Sequence, residues 1–337
     1  MEDVDQETDP VEAADDKRDL YGISTWEQRS LLDSASVSIY WLAVRTGQVL
    51  LALLAVLLFL SVGGLSILRE PLIGVLAVLS ALPALLLAGY VWYSDVTTKA
   101  PLSLLAATFI LGVLTAGLAA VANSLFQPVF TALGGIGMIL FFFLIVGPVE
   151  ESVKLLAVRL YAYNDARFAA VIDGAVYGAV AGLGFATIEN AIYISQAVGE
   201  VGGLSLGLDL IGIGGDITAT RALAGPGHVV YSAFAGYYLG LAKFNPENRG
   251  PIIVKGLIIA AVIHATYNAT VGIGSGLIQT LTGLPRIPAF FVYVVLYVGG
   301  FGYLLYRKIQ QYTSAYRAGH SNETTELEDP VIDTETE

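Results

Sequence analysis

Apolar positions in this chain are grouped into long runs, and polar positions fall mostly between them. The runs lie at about 48–68, 71–93, 101–123, 138–160, 169–195, 220–243, 251–273 and 286–308. Each is long enough to cross about 30 Å of hydrocarbon. Backbone N–H and C=O groups have no water partner in lipid and must be satisfied within the segment, so the runs are read as helices. The pattern predicts an all-α, polytopic transmembrane helical bundle of about eight spans. Tyr90, Trp92 and Tyr93 close the second run as an interfacial aromatic cluster. Residues 36–47 (SVSIYWLAVRTG) read as an amphipathic stretch on the membrane surface. The Gly- and Leu-rich residues 200–217 read as a loop or re-entrant piece.

Composition supports a membrane protein. Charged residues make up 14% of the 337 positions and the mean hydropathy is +0.69, against roughly 25% charged in soluble domains. The net charge of −12 comes largely from the two ends. Residues 1–35 and 311–337 are expected to be acidic, disordered cytoplasmic tails, flanking a transmembrane domain at 36–310. Acidic ends argue against a nucleic-acid partner, which needs a basic footprint. Tails poor in lysine also suit a salt-rich cytoplasm, so a halophilic source, a haloarchaeon among them, is expected from composition. The absence of cysteine excludes disulfides, thiolate zinc sites and a cysteine nucleophile. No cleaved signal peptide is expected, and the chain is placed in the cell membrane.

Loop charge sets orientation. Arg45, Lys99, Arg159, Arg167, Lys243, Arg249, Lys255, Arg307 and Lys308 fall in one set of loops, against Arg69 and Arg286 in the other. The first set is assigned to the cytoplasm, with both termini. The many glycines within the runs, Gly174, Gly178, Gly182 and Gly184 among them, are expected to let helices pack closely.

Ionisable side chains inside spans are costly and mark functional positions by default. Four places hold them. Glu150, Glu151 and Lys154 follow Pro148 in the fourth run; Glu150 and Lys154 share a helical face, and Glu151 is turned about 100° away. The plainer reading is a helix end meeting water. Glu189 lies in the fifth run, where a structural partnership with Arg221 is the plainer reading. His228 opens the sixth run, where a lone histidine is commonly structural. His264 and Asn268 share one face of the seventh, which an interhelical hydrogen bond would also explain. Asp173, about 160° from Glu189 around one helix, is read as a packing or interfacial partner. Four consecutive spans each carry such a group, and consecutive helices are commonly neighbours, so one shared site is the more economical account.

Two histidines with one or two carboxylates suit a catalytic zinc with a position left open for water. A further glutamate could take that water's proton, and Asn268 could donate to a developing oxyanion. The parts describe amide hydrolysis within the membrane. They also suit a metal-free route, with a glutamate activating water.

The ordered set Glu150-Glu151-Ser-Val-Lys154, Gly182-Leu-Gly184-Phe185-Ala-Thr-Ile-Glu189-Asn190, His228 followed by Gly236, and His264-Ala-Thr-Tyr-Asn268 resembles the PrsW family. These are intramembrane proteases taken to be metal-dependent, related to the CAAX prenyl proteases and bacteriocin-processing enzymes. The resemblance covers about residues 138–270, the expected catalytic core. It implies a site of Glu150, Glu151, Glu189, His228 and His264, and site-one cleavage of a membrane-anchored substrate such as an anti-sigma factor. The wider superfamily tends to carry Arg in the first motif and His after the Phe of the second. Lys154 and Glu189 stand there instead, which favours the PrsW branch.

The sequence is therefore read as an intramembrane endopeptidase. Glu150 or Glu151 is the expected general base, Glu189, His228 and His264 the expected ligands of a divalent metal, zinc by preference, and Asn268 the oxyanion support. The partners expected are a membrane-anchored protein substrate and the lipid bilayer. A proton- or cation-coupled transporter would also use buried Glu and His, although no internal repeat is seen. A non-catalytic membrane scaffold would keep the fold alone.

Overall fold

In a computed structural model the described residues are 19–21, 24–60, 69–200 and 214–328. They form eight long helices: α1 (Leu31–Phe59), α2 (Pro71–Tyr93), α3 (Leu102–Thr131), α4 (Gly134–Leu160), α5 (Val171–Glu200), α6 (Gly215–Lys243), α7 (Arg249–Thr282) and α8 (Arg286–Glu328). The two compact units of the chain divide at residue 54.

In the first unit, Ser30 and Asp33 form a capping box. The Asp33 carboxylate accepts the Ser30 backbone N–H at 2.7 Å, and the Ser30 hydroxyl accepts the Asp33 N–H at 3.1 Å. This cap starts α1 at Leu31, so the stretch expected to be disordered through residue 35 is already helical at its end. No proline interrupts residues 31–59, and the expected surface segment 36–47 is part of one continuous helix. Residues 61–68 of the first predicted run, and 201–213 of the predicted loop, lie outside the described residues.

In the second unit, six helices are long and apolar enough to cross a membrane: α2, α3, α4, α5, α7 and α8. The 29-residue α6 is not among them: Asp216, Arg221 and Lys243 lie towards its ends, and Gly225-Pro226-Gly227-His228 and several tyrosines lower the hydropathy of the stretch between. Protein covers α6 instead; its residues from Gly227 to Gly240 are buried. Helix α5 is also enclosed, with 89% of its most apolar window buried, so these two helices form the centre against which the others pack. The predicted run at 71–93 coincides with α2, and the other predicted runs correspond to helices that are longer by several residues. Helix α7 runs to Thr282, where Gly283 at φ +70° ends it. Helix α8 continues to Glu328, well past the boundary expected near 310.

Two close approaches fix the site. Gly174, Gly178 and Gly182, spaced one turn apart on α5, face α6 running antiparallel. A Cβ at Gly174 would lie 2.1 Å from the Gly236 carbonyl oxygen, and one at Gly182 would lie 2.4 Å from that of His228. The bare backbone faces therefore bring α5 and α6 together as the glycine pattern predicts. The second approach is Gly147 on α4, where a Cβ would meet the Ala261 oxygen of α7 at 2.6 Å. One turn further on lie Glu151 and His264. Residues Phe142–Val146, just before Gly147-Pro148, form a π-helical turn, which changes the rotational phase of the side chains after it.

Candidate active site

All four polar positions converge. Glu150 and Glu151 enter from α4, Glu189 from α5, His228 from α6 and His264 from α7. The rings of His228 and His264 stand edge to face with centroids 5.1 Å apart. A cavity of about 590 Å³ opens beside them, lined by Glu150, Glu189, His228, His264 and Asn268.

The two adjacent glutamates have different surroundings, because one residue of helix separates their directions by about 100°. Glu151 is fully buried. Its Oε1 lies 2.7 Å from Lys154 Nζ and 2.9 Å from His264 Nδ1, and its Oε2 accepts the Ser232 hydroxyl at 3.1 Å. A carboxylate with both oxygens engaged, and off the cavity wall, is not placed to meet water. Glu151 instead orients His264. Because a carboxylate accepts, the hydrogen is assigned to Nδ1, and Nε2 presents its lone pair towards Glu150.

Glu150 lines the cavity. Asn123 of α3 donates from Nδ2 to its Oε1 at 3.0 Å. Oε2 is buried without a hydrogen-bond partner, 3.7 Å from His264 Nε2 and 3.6 Å from Lys154 Nζ. Glu150, His228 and His264 each offer one ligand atom, and all three atoms lie within 4.8 Å of one another. Ligand atoms about 2.0–2.2 Å from a tetrahedral zinc are roughly 3.4 Å apart, so a partnerless oxygen facing an imidazole lone pair at 3.7 Å fits a divalent ion between them. This grouping differs from the expected one, which placed Glu189 with the histidines and left Glu150 and Glu151 as bases.

Glu189 is held at the cavity wall by two cationic or donor groups. Its Oε2 pairs with the Arg221 guanidinium and lies 3.0 Å from His228 Nε2. The suspected Arg221 partnership is present, and so is the contact with the site. Arg221 is in turn braced: its Nε donates to Asn190 Oδ1 at 2.9 Å, and its guanidinium lies 4.3 Å over the Tyr193 ring. Asn190 donates to the Ser80 hydroxyl at 2.9 Å. Asp173 is remote from this cluster and caps its own helix, accepting the N–H groups of Ala169 and Ala170 at 2.7 and 2.9 Å.

Lys154 sits at the centre of the charged residues. Besides Glu151, its Nζ lies 2.9 Å from His228 Nδ1 and 4.2 Å over the Phe185 ring. Asn123 and Ser232 were not among the residues singled out from sequence. Ser232 has no distinguishing signal. Asn123 has a weak one, as the first carboxamide of α3 after twenty-one small or apolar residues.

Comparison with known proteins identifies the family. Residues 100–301 match the model of the PrsW family intramembrane metalloproteases. The chain is similar to Protease PrsW of Shouchella clausii, 31% identical over 194 residues, which cover 57% of this chain and 81% of that protein. It is similar also to Protease PrsW of Bacillus subtilis, 30% identical over 190 residues, covering 55% of this chain and 78% of the relative. No solved structure matches the chain significantly. The matched region contains every residue of the cluster and the helices that carry them: this multi-pass membrane protein belongs to the PrsW family of intramembrane metalloproteases.

Proposed function

We propose that the protein is an endopeptidase that hydrolyses peptide bonds of membrane-anchored proteins, in a site-one type of cut such as that made in an anti-sigma factor. The observation that carries the reading is Glu150 Oε2, which makes no hydrogen bond and faces His264 Nε2 at 3.7 Å in a buried cavity, with Lys154 Nζ 3.6 Å away on its other side. Glu150, His228 and His264 are the residues to hold a divalent ion, zinc by its preference for mixed nitrogen and oxygen ligands. When bound, such an ion polarises a carbonyl and lowers the pKa of water to about 7.

The protein's own groups divide the remaining work. Glu189 borders the cavity and is the carboxylate left to take the proton of the attacking water. As the carbon–nitrogen bond breaks, that proton passes to the leaving amine, and the water oxygen stays on the new carboxyl group. The Arg221 guanidinium pairs with Glu189 and holds it at the cavity wall. Asn268 donates its amide hydrogen to the carbonyl oxygen as negative charge grows there. Glu151 holds His264 in the tautomer that presents Nε2.

One contact favours a second, metal-free reading. The Lys154 ammonium can only donate, so its approach to His228 Nδ1 leaves the hydrogen of that ring on Nε2, pointing at Glu189. In that state His228 donates to Glu189 and has no lone pair free for a metal, and a glutamate alone activates water.

Quantitative membrane proteomics with N-terminal peptide mapping tests the proposal in cells expressing wild type or Glu150→Gln at equal levels. Full-length single-span proteins should accumulate in the variant while their new N-termini disappear. Matching proteomes under several growth stresses would remove the protease reading and turn attention to transport assays.

A further inference from the structure

We infer that Asn123, on a helix outside the four motifs, is a positioning residue for Glu150, fixing the carboxylate plane that presents one oxygen to the histidines. The inference rests on the reading of Glu150, His228 and His264 as a metal-holding set. The two oxygens of Glu150 are chemically equal, so either can face the histidines, but free rotation about the terminal bond would leave the carboxylate plane unfixed. Asn123 Nδ2 donates to Oε1 at 3.0 Å, which leaves Oε2 as the oxygen 3.7 Å from His264 Nε2. The amide's orientation is itself determined: a carboxylate accepts, so the NH₂ end must face it and Oδ1 must point away.

That orientation has a cost. Asn123 Oδ1 is buried and has no hydrogen-bond partner, and an unsatisfied buried acceptor destabilises the fold. A leucine of nearly the same shape would remove both the donor and the orphan acceptor. An asparagine kept for packing would not be built this way. One kept to hold Glu150 must accept the stranded oxygen, because a single amide carries both groups. Structure and chemistry therefore pull in opposite directions at this residue, and this distinguishes a positioning role from a merely structural one.

The test uses full-length protein in detergent, stripped of metal, with Zn²⁺ as the probe. Zn²⁺ affinity and the apo thermal midpoint are measured for wild type, Asn123→Leu, Asn123→Val and Glu150→Gln. Loss of an outer-shell partner weakens metal binding about 10–100-fold. Asn123→Leu should show a loss in that range with an unchanged or higher midpoint. Asn123→Val, smaller and with neither donor nor acceptor, should also bind Zn²⁺ more weakly; it decides the matter if the leucine variant does not fold. Affinity equal to wild type in a folded Asn123 variant, while Glu150→Gln binds poorly, overturns the role of Asn123 and leaves the metal set standing. An affinity loss matched by a lower apo midpoint assigns Asn123 to structure and also overturns it. Failure of wild type itself to bind Zn²⁺ removes the metal set and this inference together.

Discussion

Glu151 Oε1 lies 2.9 Å from His264 Nδ1, and this contact separates the roles of the two adjacent glutamates. Glu151 is committed to protein groups on three sides, whereas Glu150 keeps one oxygen for the cavity. The first is a support, and the second is a group that chemistry can use.

Removing the support should therefore damage the fold as well as the site. Glu151→Ala deprives the buried Lys154 ammonium of its nearest partner. Breaking a buried pair by deleting one member costs about 3–5 kcal/mol, so thermal unfolding in detergent should shift well below wild type. Glu151→Gln combined with Lys154→Met removes both charges and should recover much of that stability. Cleavage should stay low in both, because His264 has lost the carboxylate that fixes its tautomer.

Glu189→Gln should behave differently. Gln keeps the shape and can still contact Arg221 and His228, so the thermal midpoint should change little. Loss of a general base lowers turnover by about 10²–10⁴-fold, read in cells as accumulation of uncut membrane-anchored proteins. Wild-type cleavage in this variant would move the base role back to Glu150.

Chelation separates the two mechanistic readings. If the cavity holds an ion, metal removal should abolish cleavage and lower the thermal midpoint, and Zn²⁺ should restore both. An ion at one hundred times its Kd contributes about 2.7 kcal/mol to stability. Cleavage that persists after exhaustive chelation would instead support the route in which Lys154 keeps His228 a donor.

The α5–α6 approach gives a test far from any ligand atom. At Gly182 a Cβ would lie 2.4 Å from the His228 oxygen, so Gly182→Ala must push apart the helices carrying Glu189 and His228. Overpacking of this kind costs about 1–3 kcal/mol. Activity should fall more than the midpoint suggests, since the displaced backbone is that of His228 itself. The control is Gly89→Ala, where a Cβ meets nothing within 4 Å; it should leave both measurements unchanged.

The sequence by itself determined that the chain crosses a membrane, where most of its helices lie, and which polar side chains stand inside them. That much follows from local rules: run length against bilayer thickness, and the high cost of charge in an apolar run. It also determined that Glu150 and Glu151 point in different directions, because helical geometry sets that angle. Tertiary structure decided their surroundings, Lys154, Ser232 and His264 around Glu151 and the cavity beside Glu150. Spacing along one helix fixes a face, but the neighbour of that face depends on how helices rotate and approach. Here those were set by the bare glycine faces between α5 and α6, by Gly147 against Ala261, and by the π-helical turn before Pro148. Those features put Glu150, rather than Glu189, beside His264, and brought Asn123 and Ser232 in from positions with little or no signal of their own. The run at 220–243 marks most of α6, but a hydropathy pattern does not say what covers a helix, and only the tertiary structure shows α6 sheathed in protein from Gly227 to Gly240.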